Sequence, residues 1–333
     1  MEPLFSLIIP VYNVAKYLDN CLTSIRNQTC ENFEAILIND GSVDTSGDIC
    51  DRYVALDKRF KVIHQENQGV TAARKRGAYN ARGRYIVCVD SDDWISKNYL
   101  SFFAREIETR NSEIICYRYY YRGNHGCVVS MLTLEKYGYY NSCELKSEIF
   151  PRLIQTKEAG CFSPSLWGKA FRRELFIVYQ SALADDIKIG EDGACTMACI
   201  ANAQSLSVLD ECEYFYRVDN ESITRGKHVF DWRSPRLINE YLFDQTSNVD
   251  FDFTEQIYRK TVHDLFSVVV SRYYLLSERK QIDADIKKNL GDECYKKALR
   301  KAVFSGSIKA KLMSRALKYK MFRVIEFYSK LKK

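Results

Sequence analysis

The sequence predicts an α/β protein built on a mainly parallel central sheet with helices on both faces. Short apolar runs rich in Val and Ile alternate with stretches of helical periodicity, the pattern of repeated βα units. The runs are almost continuously apolar, as strands covered on both faces are. Polar turns carrying Tyr12, Asp40 and Asp90 close successive runs, which places them together at the carboxyl edge where open α/β sheets bind ligands.

Each element follows in chain order. "LFSLII" at 4–9 reads as a strand ended by Pro10, since proline has no N–H for a ladder, and 14–26 has a helical pattern. "EAILI" at 34–38 runs into the turn "NDGS" at 39–42, with Asp44 near the next helix start. A strand at 61–64 precedes a helix at 70–81, and "RYIVCVD" reaches Asp90 before a helix near 97–109. The tyrosine-rich stretch 113–140 reads as strands and turns, followed by a helix at 145–157. "GEDGACTMACIANAQSLSVL" reads as turn, helix and strand, and "CEYFYRV" at 212–218 as a separate strand. Beyond 235 helical spacing dominates, notably at 254–277 and 308–331, so the division falls into 1–232 and a helical region 233–333.

Composition narrows the function classes. The chain has 333 residues, 46% of them apolar, enough for a full core. Its net charge of +6 is uneven: residues 296–333 hold thirteen Lys or Arg against Glu326 alone, a local +12. Such a tail fits anionic lipid, nucleic acid or a solvated helical end, and its apolar stripe of Ile308, Leu312, Leu317, Met321, Val324, Ile325 and Tyr328 fits an anionic membrane surface or packing against the catalytic domain or another subunit. No RNA-recognition or helix-turn-helix signature accompanies it, so no nucleic acid is expected. Twelve irregularly spaced cysteines, several inside apolar runs, read as reduced core residues of a cytoplasmic protein. Neither GxGxxG nor GxxxxGK[ST] occurs, which removes the usual dinucleotide and P-loop signatures. No run of about twenty apolar residues suggests a membrane span.

The acidic run "VCVDSDDW" at 87–94 sets Asp90, Asp92 and Asp93 directly after a buried strand. Like charges so placed call for a cation, hydrogen bonds or water, and a strand-ending turn that caps the next helix answers equally well.

Taken together and in order, "PVYN" at 10–13, "NDGSVD" at 39–44, "NQGVTAARKRG" at 67–77, "DSDDW" at 90–94, "WGKAFRREL" at 167–175 and "GED" at 190–192 resemble the family 2 inverting glycosyltransferases of GT-A fold, of the bacterial surface-polysaccharide type. The match covers roughly residues 4–220. It implies transfer of a sugar from a nucleotide diphosphate, with a UDP-sugar expected, to a hydroxyl of a glycan or lipid-linked acceptor. Asp40 would then meet the nucleobase in a pocket with Pro10, Tyr12 and Asn13, while Asn39 stands where family members often carry a further acid. Arg74 would serve the nucleotide or diphosphate, a task suited to a guanidinium. Asp92 would bind Mn²⁺ or Mg²⁺ directly, Asp90 would act through ribose or water, and Ser91 belongs to the same donor turn. Asp93, Trp94, Trp167 and Lys169 would face the acceptor. Asp192 would be the base, with Glu191 orienting the site. Arg217 and Arg225 would contact phosphates or a closing loop. A catalytically inactive relative that binds nucleotide-sugar or glycan is the alternative. The setting implied is the cytoplasm, or the cytoplasmic face of the inner membrane.

Overall fold

The structure, a computed structural model, describes residues 2–123, 128–131, 136–218, 230–275 and 278–331. Its first half alternates strand and helix as expected: β1 (Phe5–Val11), α1 (Ala15–Arg26), β2 (Phe33–Asp40), α2 (Ser46–Leu56), β3 (Phe60–Gln65), α3 (Val70–Asn80) and β4 (Tyr85–Cys88). These four strands are parallel, in the order β3-β2-β1-β4. Their side chains divide by period two. Ile8, Ile36, Ile38, Ile86 and Cys88 face one core. Leu7, Ile9, Leu37, Val87 and Val89 face the other. Burial on both faces is why these runs look uniformly apolar in sequence.

β1 continues through Pro10, which pairs in register with Ile38, instead of stopping before it. Pairing with β4 ends at Ile8 and Cys88, so the missing proline N–H falls where β1 has a strand neighbour on one side only.

The remaining sheet is mixed. A two-residue strand, β5 (Trp94–Ile95), and α4 (Tyr99–Arg110) lead to β6 (Ile114–Arg122), β7 (Val128–Met131) and β8 (Gly138–Asn141). A short α5 (Ser142–Glu144) then passes through π and 3-10 turns that end at Arg152, short of the expected 157. Pro151 interrupts helical hydrogen bonding there. β9 (Lys169–Arg172) inserts antiparallel between β4 and β6, followed by α6 (Arg173–Ala182) and α7 (Glu191–Asn202). β10 (Ser205–Tyr216) is one strand that absorbs "CEYFY" by means of two register shifts, instead of two separate strands, and it stops short of Arg217 and Val218. Its end pairs antiparallel with β5 through Tyr214–Ile95 and Phe215–Trp94.

Among the described residues six helices follow: α8 (Arg233–Gln245), α9 (Thr254–Leu275), α10 (Arg279–Asn289), α11 (Glu293–Lys301), α12 (Ile308–Lys318) and α13 (Phe322–Leu331). Ile238 and Leu242 of α8 join the sheet-side core together with Ile257. A separate helical core gathers Val262, Leu265, Ile286, Leu299, Leu317 and Ile325. The change of packing partner therefore falls within α9, not at 232. The stretch 308–331 is two helices, broken where Lys320 takes a φ of 53°. Among the described residues no helix is long and apolar enough to cross a membrane.

Candidate active site at the carboxyl edge of the sheet

Three strand ends meet at the expected edge. After β1, Asn13 adopts a φ of 48°, its N–H donates to Ser42 Oγ at 3.1 Å, and its Oδ1 accepts from Val43 N at 2.8 Å. Asp44 accepts from Ala15 N and Ser46 N, both at 3.0 Å, so one carboxylate caps α1 and α2. Burial raises its carboxyl, but the Ser46 side chain and then the backbone N–H groups of Ala15 and Ser46 outweigh that and hold it below the usual range. Tyr12 remains exposed beside this turn, and Pro10 is only partly covered.

Asp40 is buried, and its carboxylate accepts from Gln65 Nε2 at 2.7 Å, Gln68 N at 2.9 Å and Gly69 N at 2.8 Å. It shapes the edge by holding the loop before α3, a use the sequence does not announce. Asn39 donates from Nδ2 to His64 Nδ1 at 2.9 Å, and its Oδ1 accepts from Ser42 N at 3.2 Å.

Arg74 joins the two acidic motifs. Nη1 donates to Glu191 Oε1 at 2.8 Å and Nη2 to Asp90 Oδ1 at 3.2 Å, from a side chain only 6% exposed. Two charge-assisted contacts to one planar guanidinium fix where β4 ends relative to the start of α7. The buried Arg74 Nε has no partner among the described residues. α3 also holds the loop leading to α7: Thr71 Oγ1 donates to Ile187 O at 3.2 Å and Lys75 Nζ pairs with Asp185 at 2.7 Å.

Glu191 and Asp192 are the first two residues of α7, where the helix dipole favours carboxylates. Burial pushes Glu191 up to about 7, Asp192 adds to the rise, and Arg74 opposes it. Burial also raises Asp192, against Arg74 and the Gly193 N–H that its Oδ1 accepts at 2.7 Å. Asp192 stays partly accessible. A partly accessible carboxylate with raised basicity is equipped to take a proton.

The turn after β4 closes through Asp93 N donating to Asp90 O at 3.0 Å, leaving Asp90, Ser91 and Asp92 partly accessible. Burial, then the charge of Asp90, pushes Asp92 up to about 6. Among the described residues no group of three or more His, Cys, Asp or Glu is placed to hold a metal. Two partly accessible acids side by side nevertheless fit a hard divalent cation shared with a diphosphate, which takes most of its ligands from phosphate and water.

Several expected acceptor residues have other surroundings. Asp93 is buried, accepts from Tyr214 Oη at 2.7 Å and Arg217 N at 2.8 Å, and is pushed well up by burial and its acidic neighbours. Lys169 is fully buried: Nζ donates to Ser165 O at 2.6 Å, an oxygen that also accepts from Thr196 Oγ1 of α7 at 3.2 Å. Burial lowers Lys169 to about 8. Neither side chain faces the cleft; both brace it, because a charge without a water route needs local partners. Trp167 stacks on Tyr214 with ring centres 4.5 Å apart, and Trp94 on Phe215 at 5.2 Å. Arg217 lies over the rings of Tyr17 at 4.6 Å and Trp94 at 4.8 Å and donates from Nε to Asp92 O at 2.7 Å. Arg225 lies outside the described residues. Tyr214, whose hydroxyl also accepts from Asp90 N at 3.3 Å, is a central brace without a sequence signal, since 124 residues separate the pair.

A mixed sheet with a parallel N-terminal half, an acidic turn after β4 and an acidic helix start after β9 define the GT-A architecture of nucleotide-sugar transferases. The model of glycosyl transferase family 2 matches residues 6–177, and the chain belongs to that family. It is 36% identical to the glycosyltransferase GlyA of Streptococcus pneumoniae serotype 4, over 66% of this chain and 31% of GlyA. It is 34% identical to the uncharacterized glycosyltransferase EpsJ of Bacillus subtilis, over 67% of this chain and 64% of EpsJ. The chain thus spans less than two thirds of either relative. TarS 1–349 of S. aureus, solved in complex with UDP-GlcNAc, superposes with a TM-score of 0.70 at 21% identity, covering 100% of this chain and 93% of that one, a likeness of fold.

Proposed function

We propose that this protein transfers a sugar, with inversion, from a UDP-sugar to a hydroxyl of a glycan or lipid-linked acceptor in bacterial surface-polysaccharide synthesis. The single observation that carries the reading is Arg74 bonded to both Asp90 and Glu191, which brings the donor-side and acceptor-side acids into one cleft. The UDP-GlcNAc held by the TarS fold relative supports UDP as the first nucleotide to test. The site is assigned to the cytoplasmic side, with the chain peripheral to an anionic membrane.

Asp92, with Asp90 beside it, would hold Mn²⁺ or Mg²⁺, and the cation when bound offsets diphosphate charge. The turn at Tyr12 and Asn13, braced by Ser42 and Asp44, receives the nucleoside, while Asp40 keeps the loop before α3 in place. Asp192 takes the proton of the acceptor hydroxyl as that hydroxyl oxygen bonds to the anomeric carbon; the bond from that carbon to the diphosphate oxygen breaks, and UDP leaves with the electron pair. Glu191, fixed by Arg74, keeps α7 registered to the donor turn. Trp94 and Trp167, both partly accessible, give the cleft apolar walls suited to sugar C–H groups.

Calorimetry with UDP, GDP, CDP and dTDP, in Mn²⁺, Mg²⁺ or chelator, tests the reading. Metal-dependent UDP binding is expected. Absence of binding to all four by folded protein would overturn it in favour of a degenerate relative.

A further inference from the structure

α12 carries a second feature, remote in sequence from the acidic cleft. Lys311, Arg315 and Lys318 recur at spacings of four and three, so they share one side of the helix, and all three are exposed. They line an open groove of about 260 Å³ whose apolar wall includes Leu299, Val303 and Phe304. Glu326, the one acid among residues 296–333, is already paired with Arg279 at 3.2 Å and Lys330 at 2.9 Å. Among the described residues none of the three groove cations is ion-paired.

Exposed apolar side chains also lie on α12 itself and on the helix that follows it. Ile308 is 77% and Leu312 55% exposed on α12, and Phe327 is 65% and Leu331 71% exposed on α13. The inward face of the same helices is filled separately by Leu317, Phe322 and Ile325. Two apolar faces therefore exist where the sequence suggests one stripe, and the outer one is unused. A second copy of the chain would bring another local charge of +12 against the first, which disfavours self-association through this surface. Cations over an apolar wall, with exposed aliphatic and aromatic groups on α12 and α13, match anionic headgroups above hydrocarbon.

We propose that the groove between residues 299–304 and α12 is a binding site for the headgroup of an anionic phospholipid, with the exposed faces of α12 and α13 seated in the bilayer interface. Phosphate oxygens accept from Lys311, Arg315 and Lys318, while Ile308, Leu312, Phe327 and Leu331 enter the headgroup boundary. This deepens the membrane association proposed above and rests on that reading for its biological role.

The full chain is mixed with phosphatidylglycerol–phosphatidylcholine vesicles and, separately, with pure phosphatidylcholine vesicles, and bound protein is measured by co-sedimentation across a salt series. Wild type is expected to bind the anionic vesicles selectively and to lose binding as salt rises. Lys311→Gln with Arg315→Gln is expected to weaken binding about 30-fold, from about 1 kcal/mol per basic residue near an anionic surface. Phe327→Ser with Leu331→Ser is expected to weaken it in low and high salt alike. All four positions are exposed, and thermal unfolding with UDP calorimetry on the same proteins confirms folding and an intact cleft. Equal binding to both vesicle types, unchanged binding by both variants, or the same surface binding single-stranded RNA or a second copy in place of vesicles would overturn the proposal. Vesicle binding without UDP binding would instead sink the donor-site reading and leave this one standing.

Discussion

Replacing Arg74 with Met removes the cation from the centre of the site while keeping most of its volume. At an effective dielectric near 20, a unit pair about 3 Å apart is worth about 5 kcal/mol before desolvation is subtracted. Arg74 has two such contacts, at 2.8 Å to Glu191 and 3.2 Å to Asp90. Breaking a buried pair from one side costs about 3–5 kcal/mol because a carboxylate is left without its counter-charge. The cost should depend on pH. Burial and Asp192 raise Glu191 from 4.5 to about 7 even with Arg74 present, and removing Arg74 raises it further. A carboxyl with its folded pKa above the unfolded value contributes full stability below 4.5 and loses it as pH rises through the folded value. As pH falls towards 6 Glu191 takes up its proton and needs the cation less; near pH 9, in the variant, it must either ionise unpaired or hold its proton at a free-energy cost. Urea unfolding of wild type and Arg74→Met at both pH values measures the difference. The loss should reach about 3–5 kcal/mol at the higher pH and be smaller at the lower. A loss that is the same at both, or below about 1 kcal/mol throughout, would refute the bridge.

Asp92→Asn is expected to abolish the metal dependence of UDP binding, whereas Asp192→Asn keeps UDP binding and lowers turnover by about 10²–10⁴-fold, the usual range for a lost general base; calorimetry and turnover giving the reverse pattern would exchange the roles. Glu34 is held down to about 2 because Lys61, the Arg82 N–H and Ser6 together outweigh its burial. Its shift from 4.5 corresponds to about 2–3 kcal/mol after screening of the more exposed Lys61 and Arg82. That stability is present above pH 4.5 and lost as pH falls towards 2, so Glu34→Gln should cost that amount at pH 7 and nearly nothing in strong acid, as read by chemical unfolding. Gly83→Ala would drive a Cβ into the backbone of Phe5 and Ser6, whereas at Gly77 the nearest obstacle is the side chain of Ile8. Thermal melts should show the Gly83 variant losing about 3 kcal/mol or more, and the Gly77 variant less.

The parallel half of the sheet is legible because its strands are covered on both sides: "LFSLII", "EAILI" and "YIVCV" have no polar face to hide. Pro10 misleads because a ladder requirement depends on neighbours, and β4 stops pairing before Pro10 is reached. β5 is two residues long, too short for any periodicity, and is defined only by its contact with β10. The union of 205–211 with 212–216 is hidden for the opposite reason, since register shifts break the alternation that would mark one strand. In the tail, helical spacing is plain, but it cannot distinguish Leu317, packed inside, from Leu312, which is exposed.

The site divides along the same line. Residues that carry charge at a strand end or a helix start, Asp90, Asp92 and Asp192, are visible in local sequence because such clusters are costly without a purpose. Residues that hold them are invisible because their role exists only across the sheet: Tyr214 bonds Asp93 and Asp90, Lys169 shares Ser165 O with Thr196, and Asp40 gathers the loop before α3. This separation gives the bracing network a distinct experimental signature. Loss of an accessible acid should change binding or turnover in a stable fold, whereas loss of a brace should change stability and the geometry of several acids at once. Arg74 belongs to both classes, since it is buried like a brace and charged like a ligand, and its Nε, without a partner among the described residues, leaves one donor uncommitted beside the acids it joins.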